Sequence, residues 1–331
     1  MPFLFSANLV SGSRLLYFSE RLLGDERGAM NIENLLNAAK VAGQDRARPL
    51  ASNFKVGAAF QFSNGEVVSG GNTEDRGKTV VGACAERNVL GAANNVMGPL
   101  SEYGSGGTVG WDRAAVWANT PGPITPCGIC RDFMAATATE IQSEVLSQCE
   151  GPLRATFTIG ELLPLAGRGP GGDVKDEIEM WRLNGGKIFD IESSESEPLI
   201  RRAMGIAERS YRPPFSSEPL AGAALLTEDG TIHEGALVID ATTRLGGTAI
   251  SMAVRNALVG PVGTTSRVVA VGLFTEGDVV RAPTGCDLQL LQEIRAKHGD
   301  VDVMFGCNTR AFKTTLDALL PHPFGRNDLG Y

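Results

Sequence analysis

Long apolar runs are missing from this chain: no window approaches the about 20 apolar residues of a membrane-spanning helix, and no membrane partner is expected. Positive charge is short as well. The 30 Lys and Arg are outnumbered by 38 Asp and Glu, for a net charge of −8. Nucleic-acid binders carry a basic stripe that displaces counterions from phosphates. Basic and aromatic residues do not interleave here, so no nucleic acid is expected either. Histidine is scarce: His233, His298 and His322 all lie in the second half, where they read as exposed or capping residues. No Ser/His/Asp set is apparent in the first half, which sets aside nucleophilic hydrolysis of that kind. An export signal is not evident in residues 1–28, which lack a basic start and whose apolar run Ser6, Asn8 and Ser11 interrupt. The six cysteines are therefore expected as thiols or metal ligands in a reducing, cytoplasmic location.

Against that background two short runs stand out, Cys84-Ala85-Glu86-Arg87 and Pro126-Cys127-Gly128-Ile129-Cys130. Three thiolates from Cys84, Cys127 and Cys130 hold a zinc ion and leave its fourth position open, as a catalytic site requires. Glu86, two residues from a ligand, is placed to move protons beside the metal without binding it. A carboxylate in a first helical turn also has a plain electrostatic reading, in favour of the helix dipole, but the flanking ligand gives it a catalytic one. Arg87 is placed to offset the thiolate charge, or to form an ordinary ion pair. Cys149, Cys286 and Cys307 show no ligand spacing and read as buried thiols.

The chain is also written twice. A shift of 165 lays Ala38, Ala42, Pro49, Ser52, Gly57, Ala58, Ala59, Gly65 and Gly70 on identical residue types at 203, 207, 214, 217, 222, 223, 224, 230 and 235. A shift of 168 lays Arg87-Asn88 and Leu90 on Arg255-Asn256 and Leu258, and one of 157 lays Pro126 and Gly128 on Pro283 and Gly285. On these shifts Cys84, Glu86, Cys127 and Cys130 face Met252, Val254, Thr284 and Asp287, a set unable to form the zinc site. One zinc per chain is expected, with a non-catalytic second module.

Four segments follow: an N-terminal arm at 1–28, a catalytic module at 29–166, a linker at 167–197 and a degenerate module at 198–331. The linker opens with Gly167, Gly169 and Gly172, which match G-x-G-x-x-G but lack the strand-to-helix context of a dinucleotide site. Within the first module, Val56–Phe62 and Glu66–Ser69 read as strands joined by an Asn64-Gly65 turn. Residues 84–95 and Cys130–Ala138 read as helices and Ala114–Ala118 as a buried strand. Both cysteine runs thus fall at helix starts, where free N–H groups favour thiolates.

These residues resemble the cytidine deaminase family. The resemblance runs from Ser52-Asn53-Phe54-Lys55-Val56-Gly57-Ala58-Ala59, through Gly71-Asn72-Thr73-Glu74 and Cys84-Ala85-Glu86-Arg87, to Thr120-Pro121-Gly122-Pro123-Ile124-Thr125-Pro126-Cys127 and Glu161-Leu162-Leu163-Pro164. The double layout is similar to the longer bacterial and plant members, whereas a first-position cysteine is similar to the short single-module ones. The resemblance implies an α/β fold of two tandem three-layer α/β/α modules, each with a mixed five-stranded sheet, in a homodimer. It implies zinc-dependent hydrolysis of cytidine and 2′-deoxycytidine to the uracil nucleoside and ammonia, as in pyrimidine salvage. By the same resemblance Asn72 and Glu74 bind the ribose hydroxyls, Phe54 packs on the nucleoside and the Ala85 backbone meets the pyrimidine. Their counterparts in the second half are Leu237, Ile239 and Pro219. Phe324, beyond the second Leu-Pro, is a candidate lid. Three alternatives stand beside this reading: a modified cytosine nucleoside of the blasticidin type, cytosine in a nucleic acid, and a zinc scaffold without catalysis.

Overall fold

Strand β2 (Val56–Phe62) is buried along its whole length, because alternate residues face two different apolar layers. Ala58, Phe60 and Phe62 point to one layer and Ala59 to the other. The computed structural model describes residues 30–50, 52–74, 83–97, 100, 109–164, 187–190, 198–213, 216–239, 247–259, 266–296 and 299–323. The N-terminal arm, the glycine run at 167–172 and Phe324 lie outside them.

The first sheet has the order β3-β2-β5-β6-β7, with β3 at Val67–Gly71, β5 at Trp111–Ala118, β6 at Glu144–Gln148 and β7 at Arg154–Thr158. Only the β5–β6 pair is parallel. Helix α1 (Ile32–Val41) covers one face through Leu35, Leu36 and Ala39. Helices α2 (Ala85–Met97) and α3 (Gly128–Thr137) cover the other. The Asn64-Gly65 turn forms as the sequence predicts, with Gly65 at φ 83° and its N–H donating to the Phe62 carbonyl at 2.8 Å. Two short strands, β1 (Arg48–Pro49) and β4 (Thr73–Glu74), pair in parallel beside this sheet. A capped turn, α4 (Ile159–Leu162), follows β7.

The second half repeats this order. β9 (Ala221–Thr227), β10 (Ile232–Ala236), β11 (Val268–Thr275), β12 (Asp302–Gly306) and β13 (Arg310–Thr315) form β10-β9-β11-β12-β13, again with one parallel pair. Helix α5 (Pro198–Ala207) takes the outer face, and α6 (Ala249–Val259) and α7 (Gly285–Ile294) the inner one; α8 (Leu316–Leu319) follows β13. The sheet differs from expectation in having a sixth strand. β8 (Lys187–Asp190), inside the stretch read as a linker, pairs antiparallel with β13. An edge strand presents a row of unpaired N–H and C=O groups, and β8 covers that of β13.

The two halves share one core. A single cluster of buried side chains joins Phe60, Val89 and Met134 of the first half to Leu225, Val271 and Leu288 of the second. The inner helices, α2 with α3 and α6 with α7, lie between the two sheets, and α3 packs on α7. The repeat also explains Gly57 and Gly222. A Cβ at Gly57 would stand 2.0 Å from the Ala39 carbonyl oxygen of α1, and one at Gly222 2.1 Å from that of Ala203 in α5. Each glycine is where an outer helix crosses the central antiparallel strands.

Gly57→Ala and Gly222→Ala are each expected to destabilise by about 1–3 kcal/mol through overpacking, read as a lowered urea midpoint at unchanged slope. Gly91→Ala, at a helical position with nothing within 4 Å, is expected to stabilise by about 0.5–1 kcal/mol. Equal effects at all three positions would refute the close-approach account.

Candidate metal and catalytic site

The backbone brings the two cysteine runs together. Thr73 and Ala83 exchange backbone hydrogen bonds at 3.0 and 2.9 Å, which sets Cys84 and the start of α2 beside β4. Cys127 is the N-cap of α3 and its side chain makes no capping bond; Cys130 lies in the first turn of that helix. The Cys84 and Cys127 sulfurs are 3.7 Å apart, and those of Cys127 and Cys130 3.4 Å. All three lie within 4.8 Å of one another. Tetrahedral zinc with bonds of about 2.3 Å spaces its sulfur ligands by about 3.8 Å. The donor set therefore fits a zinc ion.

The electrostatics agree. The three crowded thiols compete for the charge: hydrogen bonds from Cys130 and Cys84 pull Cys127 down to about 4. The bond to Cys127 raises Cys84 to about 11 and also drives Cys130 upward, with burial adding to both. A divalent cation at the centre would remove this competition, since metal ligands bind as thiolates.

Glu86 is 3% exposed, with its Oε2 3.6 Å from the Cys130 sulfur. Burial first, and then the neighbouring Cys84, push its carboxyl up to about 7. That places it where one group both takes and gives protons near neutrality. Arg87 is half-buried. Burial opposes its charge, but the charges of Cys84, Cys130 and Cys127 outweigh that and hold its pKa above the ordinary value.

Asn72, Glu74 and Phe54 gather at the turn before β2. Asn72 is buried and already engaged: its Oδ1 accepts from Val56 N at 2.9 Å and its Nδ2 donates to the Phe54 carbonyl at 2.8 Å. Glu74 accepts from the Ser52 N–H at 2.9 Å and the Ser52 hydroxyl at 2.6 Å. Together they hold a turn in which Asn53 adopts φ 57°. The pairing of Thr73 with Ala83 sets this turn beside Cys84.

Arg131 is the residue that sequence reasoning missed. It is fully buried, and its guanidinium donates to the carbonyls of Pro126, Leu162, Pro321 and His322 and to the Thr125 hydroxyl. Burial lowers its pKa to about 10, against the pull of Cys127 and Cys130. Two of its acceptors belong to the second half, nearly 200 residues away in the chain. The only signal was an arginine directly after a metal ligand.

In the second half one correspondence needs correction. Val238 and Gly247 form the same bridge as Thr73 and Ala83, which makes the shift at this point 164 (247 − 83) rather than 168. Thr248 therefore stands for Cys84 and Ile250 for Glu86, in place of Met252 and Val254. The Arg-Asn match at 168 is offset by one helical turn. Thr284 and Asp287 keep their places opposite Cys127 and Cys130, both threonine and cysteine serving as helix N-caps. Thr248 Oγ1 donates to Asp287 Oδ1, and Thr284 Oγ1 to Asp287 Oδ2 at 2.9 Å. A hydrogen-bonded oxygen triad thus occupies the position of the three sulfurs.

Comparison with known proteins gives a consistent picture. Residues 30–143 match the family model described as "Cytidine and deoxycytidylate deaminase zinc-binding region". A cytidine deaminase of Sporosarcina psychrophila is 31% identical over 135 residues, which span 41% of this chain and 90% of that protein. A cytidine deaminase of Cronobacter sakazakii is 31% identical over 188 residues, 56% of this chain and 53% of that one. Among solved structures, a cytidine deaminase from Burkholderia pseudomallei is 34% identical and covers 41% of this chain and 99% of its own, with a TM-score of 0.36.

Arg131→Met is expected to cost at least about 3 kcal/mol, because charge-assisted hydrogen bonds to buried acceptors are lost at once. Chemical denaturation of the full chain would show it; a wild-type midpoint would mean that the carbonyls find other donors.

Proposed function

The chain belongs to the cytidine deaminase family and is a hydrolytic deaminase, and from that premise we propose that it converts cytidine, and 2′-deoxycytidine with it, to the corresponding uracil nucleoside and ammonia. The observation that carries the reading is the buried Glu86 carboxylate set 3.6 Å from a sulfur of the three-cysteine cluster. Cys84, Cys127 and Cys130 would hold one zinc ion per chain. When bound, the ion supplies a Lewis acid and water that ionises near neutral pH.

The residues around it perform the proton work. Glu86 accepts a proton from the attacking water on its carboxylate and gives it to the ring nitrogen N3 of the cytosine. It then takes the second proton, from the hydroxyl now on C4, and gives it to the exocyclic amino group, which leaves as ammonia while the water oxygen stays as the new carbonyl. Atoms balance: cytosine plus water gives uracil plus ammonia. Burial of Glu86 supports this role, since a carboxyl raised to about 7 is neither a spent acid nor a weak base at working pH. Arg87 offsets the thiolate charge.

Phe54, Asn72, Glu74 and the Ala85 backbone form the proposed nucleoside site. Phe54 offers an apolar face, and ribose hydroxyls would compete with Ser52 for Glu74 and with the Val56 N–H and the Phe54 carbonyl for Asn72. Phe324, outside the described residues, is the proposed lid. The module boundaries are proposed as 29–166 for the catalytic half and 198–331 for the half that carries no zinc, with Thr248, Thr284 and Asp287 in place of the ligands. A cytoplasmic homodimer acting in pyrimidine salvage completes the proposal.

The test is absorbance loss at the cytosine band with cytidine, deoxycytidine, cytosine and a blasticidin-type nucleoside in parallel, alongside metal analysis. Turnover of the two plain nucleosides and one zinc per chain are expected. Turnover of the modified nucleoside alone would replace the substrate, and two zinc ions per chain would overturn the assignment of the second half. Glu86→Gln is expected to keep its zinc and lose about 10²–10⁴-fold in kcat.

A further inference from the structure

Helix α3 carries two of the three sulfurs, yet it lacks a cap of its own. The Cys127 side chain makes no capping hydrogen bond, so the N–H at the very start of the helix takes its acceptor from elsewhere. The acceptor comes from the other half of the chain: Gly128 N donates to Oε1 of Gln289, on α7, at 2.9 Å. In return, Cys286 N of α7 donates to Oδ2 of Asp132, on α3, at 2.9 Å. Residues 132 and 289 are related by the same shift of 157 that relates Cys127 to Thr284, so the two helices cap each other across an internal two-fold relation.

The contact has no slack. A Cβ at Gly128 would stand 2.2 Å from the Gly285 carbonyl oxygen, and one at Gly285 2.3 Å from that of Gly128. Within this symmetric exchange one chemical difference remains. The acceptor for α7, whose start holds Thr284 and Asp287, is a carboxylate. The acceptor for α3, whose start holds Cys127 and Cys130, is a neutral amide. Gln289 is 8% exposed, and its Nε2 donates to Glu293 Oε1 at 3.0 Å, which directs its oxygen at Gly128. A helix N-terminus ordinarily favours an anion. This one already faces sulfur anions, and another negative charge would oppose them.

We propose that Gln289 of the second half is a positioning residue for the metal centre of the first, fixing the Cys127–Cys130 turn through Gly128 N–H without adding charge beside the thiolates. The proposal rests on the zinc reading of the three cysteines and extends it, making the second half part of the apparatus that sets zinc affinity.

Full-length protein carrying Gln289→Met or Gln289→Glu tests it. Zinc affinity is read by competition with a chromophoric chelator, together with thermal midpoints of the zinc-free protein and kcat and KM for cytidine. Partners one layer outside a metal typically change affinity by about 10–100-fold. Gln289→Met, which removes the acceptor, is expected to lose about tenfold in zinc affinity, with KM changed by less than about twofold. Gln289→Glu, which keeps an acceptor and adds charge, is expected to lose at least as much.

A purely structural cap would behave otherwise. Glutamate would then match or exceed glutamine in thermal midpoint and leave zinc affinity at the wild-type value, and that result would overturn the proposal. Should Gln289→Met fail to fold, Gln289→Glu decides alone. Wild-type protein that binds no zinc would instead refute the metal reading itself, and the proposal with it.

Discussion

Three cysteine sulfurs are gathered within 4.8 Å of one another, and the surroundings answer the negative charge they would carry as metal ligands. Like charges at this separation, away from water, repel strongly. The start of α3 brings the Cys130 N–H to the Cys127 sulfur, and Arg87 stands next to the cluster. Arg131 keeps a buried guanidinium behind it, tied to four carbonyls. The carboxyl of Glu86, 3.6 Å from the Cys130 sulfur, is pushed up to about 7 by burial and by Cys84. Even the capping group lent by the second half is a neutral amide.

The second half shows what the same scaffold does without that demand. Strand order, hairpins and inner helices recur, and the site positions are filled by Thr248, Thr284 and Asp287, which satisfy one another by hydrogen bonds. Ile250, fully buried, replaces Glu86. There a buried carboxylate has three donors of its own, and the fold is retained without the cysteines. That half still contributes to the other: its carbonyls at Pro321 and His322 hold Arg131, its Gln289 caps α3, and its inner face completes a shared core.

Some of this could be read directly along the chain. Strand β2 and its Asn64-Gly65 turn follow from local composition, and the inner helices from the placement of the cysteine runs. The 165-residue repeat announced two halves because glycines such as Gly57 and Gly222 are fixed by a contact that every copy must make. The shift at the second inner helix was misread, since Arg-Asn recurs one turn later in a helix that tolerates either register. Only the bridge between Val238 and Gly247 fixes the alignment. Some helical or strand content is legible between Ile178 and Ile191, but the place of Lys187–Asp190 in the second sheet is not, as its pairing with β13 exists only in the folded chain.

The sequence by itself determined the candidates for the chemistry: three cysteines that fit a metal, a carboxylate beside them, and other residue types at the matching places of the second half. It could do so because these roles depend on residue type and on spacing within a single turn. Tertiary structure alone decided what steadies that chemistry. Arg131, Asp132 and Gln289 carry no local pattern for this role, because the partners that join the two halves lie some 150 to 190 residues away and meet only where α3 and α7 do. A hydrogen bond across the core leaves no periodicity in the chain, and only the packing of two helix starts, too close for any side chain at Gly128 or Gly285, brings it into being.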